Sequence, residues 1–246
     1  MKTWTAVLIL STAATASAES GDSILGRVDQ TLSGFKDQTF DAVMRVIEAG
    51  GESRERRFRT QQKGGDKRLV RFTAPADVKG MAVLVDGRDN MYVYLPAYAR
   101  VRRIAGHTRE QGFLGSDFSY EDMGDVKWGE KYAATLKGET AEAWTLELKP
   151  RDPEETEYAR LVMTAGKKTL HPEKLEYFDA GGRKAKTQTQ ENYAFVESVK
   201  TWIPRLITMT DHRRGNHRTE MDIAVVGINT GIADEQFTQR SLERGP

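Results

Sequence analysis

Residues Ala143 to Pro150 read AWTLELKP. Trp144, Leu146 and Leu148 alternate with Thr145, Glu147 and Lys149. This is the period of two expected of a half-buried β-strand, whose successive side chains point to opposite faces. The pattern extends outward in both directions. FDAVMRVIE puts Phe40, Ala42, Met44 and Val46 on one face, and AVLVDG, MYVYLP, ARLVMT, KLEYFD, WIPRLITMTDH and RTEMDIAVVG continue it. Between such runs stand Gly50-Gly51, Gly64-Gly65, Asp86-Gly87, Gly181-Gly182 and Gly215-Asn216. These residues tolerate the positive φ that tight hairpins need. The expectation is a mainly β fold with a few helices: one large, strongly curved antiparallel sheet, with no internal repeat or Pro-rich hinge.

Three segments break the rhythm. DSILGRVDQTLSG predicts an amphipathic helix, with Asp22 or Ser23 as cap, Leu25, Val28 and Leu32 on one face and Gly34 at its end. AGHTREQGFLGSDFSYEDMG, after Ile104, has no period of two, and a loop this long inside a compact domain is usually functional or mobile. Within it, Ser116 or Asp117 is expected to cap a short helix, with Glu121 and Asp122 as its acidic edge and Gly124 as its stop. INTGIADEQFTQRSLERGP leaves the sheet as a short helical tail, capped by Asp234 and anchored by Phe237 and Leu242.

The chain opens MKTWTAVLILSTAATASAES. Lys2, the apolar stretch around Ala6 to Leu10 and Ala16-Ser17-Ala18 before Glu19 predict a cleaved signal peptide over 1–18. Residues 19–246 are then expected to form one exported domain. The chain has no cysteine, so neither a thiolate nucleophile nor a lipid-bearing Cys is available. Export without disulfides points to a bacterial periplasm. Loss of Lys2 balances the 37 basic against the 36 acidic residues, which argues against nucleic acid as a partner.

Candidate chemistry is thin. Asp117, Glu121 and Asp122 with His107 have the residue types of an acid/base set, but no nucleophile or oxyanion motif stands at a telling spacing. Cap and solvated edge is the stronger reading of these carboxylates. His212 and His217 bracket a turn, and two histidines without a third ligand are a weak metal signal. No catalytic residue, cofactor or metal is expected. Arg54, Arg56, Arg57, Arg59, Lys67, Arg68, Arg71, Arg100, Arg102 and Arg103 read as a solvated outer face, or as a docking surface for acidic partners. Met44, Met81, Met91, Met123, Met163, Met209 and Met221 suit either a core or a pocket for varied apolar ligands.

The layout of one helix followed by a meander, the stretch YLPAYARVRRIAGHTREQGFLGSDFSYEDM from Tyr94 to Met123 and the ending NTGIADEQFTQRSLER resemble the outer-membrane lipoprotein-sorting proteins, of the LolA/LolB-type fold. The likeness covers most of the chain and is greatest to the longer LolA-like branch associated with RND/MMPL-type exporters. It implies an unclosed half-barrel holding an apolar cavity under a lid of helices. It also implies a soluble periplasmic carrier of lipoprotein acyl chains, free lipid or glycolipid. Such a carrier would move cargo from an inner-membrane transporter, the RND/MMPL type among the candidates, to an outer-membrane acceptor, touching membranes only transiently. A periplasmic sensing module of the same fold is the alternative.

On that reading the ligand-binding candidates on strands are Met44, Val46, Phe72, Met81, Val83, Tyr92, Tyr94, Trp144, Leu146 and Met163. Phe113, Leu114, Phe118 and Met123 are the lid candidates, with Gly112, Gly115 and Gly124 permitting hinge motion. No single binding residue transfers from the shorter carriers, because the segment Phe113 to Met123 does not map onto their lids.

Overall fold

Alternation of apolar and polar residues becomes, in a computed structural model, one antiparallel sheet of 13 strands that is not closed into a barrel. The structure describes residues 19–87, 90–105, 108, 111–120, 122, 127–215 and 217–244. The expected signal peptide, His107, Glu121, Met123 and Gly124 lie outside the described residues.

A first meander runs through β1 (Asp37–Ile47), β2 (Ser53–Lys63), β3 (Lys67–Ala74), β4 (Ala82–Asp86), β5 (Met91–Leu95) and β6 (Arg100–Arg103). A second runs through β7 (Tyr132–Glu139), β8 (Ala143–Pro150), β9 (Arg160–Gly166), β10 (Pro172–Phe178), β11 (Lys184–Glu191), β14 (Leu206–Asp211) and β15 (His217–Ile228). Between β11 and β14, β12 (Ala194–Val196) and β13 (Thr201–Ile203) form a separate ribbon. The two meanders join through β1 and β15, with Met44 opposite Met221, and leave β6 and β7 as the sheet's edges.

The inner face carries the main core. Trp144, Leu146 and Leu148 are buried there as their alternation predicts, together with Met44, Phe58, Phe72, Leu161, Met163 and Leu175. Helix α1 (Gly21–Ser33) crosses this face and buries Ile24, Leu25 and Val28. Its cap is Ser20, whose hydroxyl accepts from the Ser23 amide, rather than Asp22 or Ser23. Asp22 instead accepts from the Ala134 amide on β7 at 2.8 Å. Gly21 is required by closeness: a Cβ there would meet the Ala134 carbonyl oxygen at 2.5 Å. Asp29 holds the other end, accepting from the Trp128 and Gly129 amides of α2 (Trp128–Lys131).

Over β3 to β6 the outer face is covered as well. Leu69, Ala82 and Leu84 pack there with Phe237 and Leu242 of the tail, while Val70, Val83 and Val85 face inward. Burial of both faces explains why β4 reads as a continuous apolar run. The tail is a 3-10 turn, Asp234–Phe237, followed by α3 (Gln239–Glu243). Thr238 caps α3, and Asp234 instead forms ion pairs with Lys63 and Lys67.

The basic strands divide by parity. Arg57 and Arg59 pair with Glu55 and Asp41, and Arg71 donates to the Ser241 and Leu242 carbonyls. Arg68 departs from the outer-face expectation by turning inward onto Gln62.

Candidate functional site

Residues from distant strands converge on one cavity of about 210 Å³. Val70 of β3 and Tyr132 of β7 both line it. They are nine strands apart in the sheet order, about 43 Å along a flat sheet at the usual inter-strand spacing. Only a strongly curled sheet brings them to a common space. The floor is formed by Phe40, Phe58, Ile207, Met221, Ile223 and Val225. Leu32 and Phe35 at the end of α1, Trp128 of α2, and Ile203 with Pro204 beyond β13 form apolar walls. Phe118 and Ser119 enter from the central loop.

Polar residues interrupt this surface. Gln38, Thr60, Gln62 and Arg68 line one part, and His171, Gln188 and Gln190 another. Gln62 accepts from Gln38 at 3.1 Å and from Arg68 at 2.6 Å. His171 Nδ1 stands 3.2 Å from Gln190 Oε1, and burial pushes the imidazole pKa down to about 4, so the ring is neutral at physiological pH. Burial, with Glu157 beside it, raises the Tyr158 phenol well above its ordinary value. Glu157 itself accepts from Arg213 at 3.1 Å.

The described residues of the central loop do not take up the helix the sequence predicts. Phe113–Gly115 is a single 3-10 turn, and Gly112 bridges to Ser119. Leu114 and Gly115 take positive φ of 52° and 77°, which closes the loop on itself. Ser119 and Asp122 cap each other reciprocally: each side chain accepts from the other's amide. Phe113 is fully buried, its ring 5.6 Å from Phe72 and 5.0 Å from Tyr120.

Asp117 is the chief correction to the reading of these carboxylates as solvent edge. Its side chain has no solvent exposure. Its carboxylate lies 2.7 and 2.8 Å from His217 Nδ1 and accepts from Thr219 Oγ1 at 2.7 Å. Arg214 approaches to 3.4 Å, and the Asp117 amide donates back to Thr219 at 3.0 Å. Lys186 Nζ donates to the Asp117 carbonyl at 3.0 Å. A carboxylate survives such burial only when paired and hydrogen-bonded. The loop is thereby latched to β11 and β15. His217 Nε2 lies 3.2 Å from Glu48 Oε2, close enough for an ion pair but off the line a hydrogen bond needs. His212 meets Thr187 rather than His217.

Of the ligand-binding candidates, Phe118 lies on the cavity wall. Met44, Val46, Phe72, Met81, Val83, Phe113, Trp144, Leu146 and Met163 are buried, and Leu114 packs against the core at partial exposure. Tyr92 and Tyr94 lie on the opposite face, with the tail's cluster. Sequence reasoning missed the polar lining, because Lys184–Glu191 (KAKTQTQE) has no apolar residue but Ala185 to mark its inner face.

An open antiparallel half-barrel with helix and loop crossing its hollow defines the LolA/LolB-type class. Residues 64–244 match the model of a family described as uncharacterized protein-like. No curated protein sequence matches the chain. A crystal structure of a DUF1329 family protein from Desulfovibrio piger is 29% identical with TM-score 0.83, covering 90% of this chain and 97% of its own. A domain described as outer-membrane lipoprotein-sorting, from Vibrio parahaemolyticus, is 29% identical with TM-score 0.80, covering 91% and 98%. A LolA superfamily protein from Nitrosomonas europaea, 21% identical with TM-score 0.75 over 91% and 100%, shares the fold. The chain belongs to this LolA-like family. That fold supports binding of a lipid or lipoprotein in general.

Proposed function

We propose that the protein is a soluble periplasmic carrier, which takes acyl chains of lipoproteins or lipids into the inner cavity and passes them between inner-membrane and outer-membrane partners. The observation that carries this reading is the cavity itself: apolar-walled, inside an unclosed half-barrel, with α1 and the latched central loop beside it. Burial of an acyl chain contributes about 0.8 kcal/mol per CH₂, so hydrocarbon is held firmly without covalent chemistry. The signal peptide expected over residues 1–18 fits this role. No helix among the described residues is long and apolar enough to cross a membrane. Phe118 sits where loop movement would change access, and release is proposed to follow opening of the Asp117 latch.

Native mass spectrometry and lipid extraction of the protein purified from its own periplasm test the reading. A stoichiometric lipid or acylated-protein mass is the expected result. Protein recovered lipid-free, which then takes up no lipid from vesicles or micelles, would overturn it.

A further inference from the structure

Among the polar residues that break the apolar lining of the cavity, four are uncharged and stand on two strands: Thr60 and Gln62 on β2, and Gln188 and Gln190 on β11. Two of them are paired within the protein, Gln62 with Gln38, Arg68 and the Gly64 carbonyl, and Gln190 with His171. Thr60 is only 1% exposed, yet its Oγ1 has no hydrogen-bond partner among the described residues. Gln188, 8% exposed, likewise makes no side-chain hydrogen bond among them. Leaving the buried Thr60 hydroxyl unpaired costs about 1–3 kcal/mol and calls for an explanation. Both residues line the cavity that a ligand would fill.

Charged groups on the same wall are already engaged. Arg68 donates to Gln62, Asp122 accepts from the Ser119 amide and Glu157 from Arg213. His171 is neutral, as described above. A charged head drawn inside would lose its hydration, a costly exchange. A plain alkyl chain would leave Thr60 and Gln188 unpaired.

We propose that the cavity selects an amphiphile whose hydrocarbon lies on the aromatic and aliphatic wall while its neutral hydroxyl or amide groups bond to Thr60 and Gln188. The inference rests on the carrier reading of the same cavity and names the ligand class within it.

Three probes with one acyl chain separate the possibilities: 1-monopalmitoylglycerol, N-methyl palmitamide and methyl palmitate. Each is titrated against a fluorescent fatty-acid analogue bound to the delipidated protein. At least one of the first two should displace it at ~10-fold lower concentration than methyl palmitate, about 1.4 kcal/mol. Which of the two does so distinguishes a hydroxylated lipid from an amide-bearing one. In the Thr60→Val, Gln188→Leu double variant, methyl palmitate should bind more tightly and the gap should close. The single variant Thr60→Val should also raise the melting temperature of the ligand-free protein, because it removes an unpaired hydroxyl from a site it fits sterically. Equal displacement by all three probes, or a gap unchanged in the double variant, overturns the inference and leaves the carrier reading standing. Binding of none of them overturns both. Lower thermal stability of Thr60→Val means that the hydroxyl is paired inside the protein, and the inference fails.

Discussion

Asp117 condenses the difference between what its neighbourhood suggests and what it does. In FLGSDFSYEDM it is one of three carboxylates between aromatics, and a cap is the economical reading. Its partners, His217 and Thr219, are about a hundred positions away, and nothing in local spacing points to them. Only the pairing of β15 with β1 and β14 fixes where His217 and Thr219 sit relative to the loop. Replacing Asp117 by Ala strips the acceptor from a buried, charge-assisted network, a change that typically costs 3–5 kcal/mol. Thr219→Val removes one donor to the same carboxylate and should cost about 1–2 kcal/mol. Urea unfolding of both singles and the double variant checks the latch. Because one network is lost only once, the double should fall well short of the sum. Additive losses would mean that the two residues stabilise the fold independently.

At the scale of elements, strands were far more legible than the pieces between them. A period of two of apolar residues survives in β1, β8 and β9, which can be read directly, and Gly51, Gly64, Gly87, Gly182 and Gly215 do adopt the positive φ their turns require. The loop and tail resist such reading because their geometry is set by capture of their backbone groups. Asp37, at the start of β1, illustrates this for the tail. Its buried carboxylate accepts from the amides of Thr230, Gly231 and Ile232 and from the Thr230 hydroxyl. Burial opposes its ionisation, but these donors outweigh that and hold its pKa below the ordinary 3.8. A carboxyl depressed on folding contributes stability that is fully present above the unfolded pKa and is lost as pH falls through the folded one. Tail anchoring should therefore be intact at neutral pH and weaken below about pH 4, the ordinary carboxylate range. In Asp37→Asn it should already be weak at pH 7 and change little on acidification. Hydrogen exchange of the Thr230–Ile232 amides across pH, corrected for intrinsic rates, reads this directly. Equal protection in the variant and the parent at pH 7 would sink the anchoring role.

For the molecule as a whole, the half-barrel follows from many hairpins with one apolar face each, which must curl to bury that face when a single helix is the main cover. Its hollow was legible as a consequence; its lining was not. Apolar patterning selects residues that pack against each other, and so pointed to Met44, Leu146 and Met163, all with no exposure. A cavity wall is where such packing stops, and here Thr60, Gln188 and His171 are mixed among the aromatics. The energetic consequence is that the folded protein without ligand retains unfilled apolar surface and unpaired polar groups together. A ligand that binds only the folded state stabilises it by about 2.7 kcal/mol at 100 times its dissociation constant. Protein purified from its native compartment should accordingly melt several degrees above the same protein after delipidation in denaturant and refolding. Adding 1-monopalmitoylglycerol should restore much of the difference, with a midpoint that rises with ligand concentration. Calorimetry on the three samples makes the comparison. Coincident melting curves, unmoved by added lipid, would mean that the hollow is a packing defect and carries nothing.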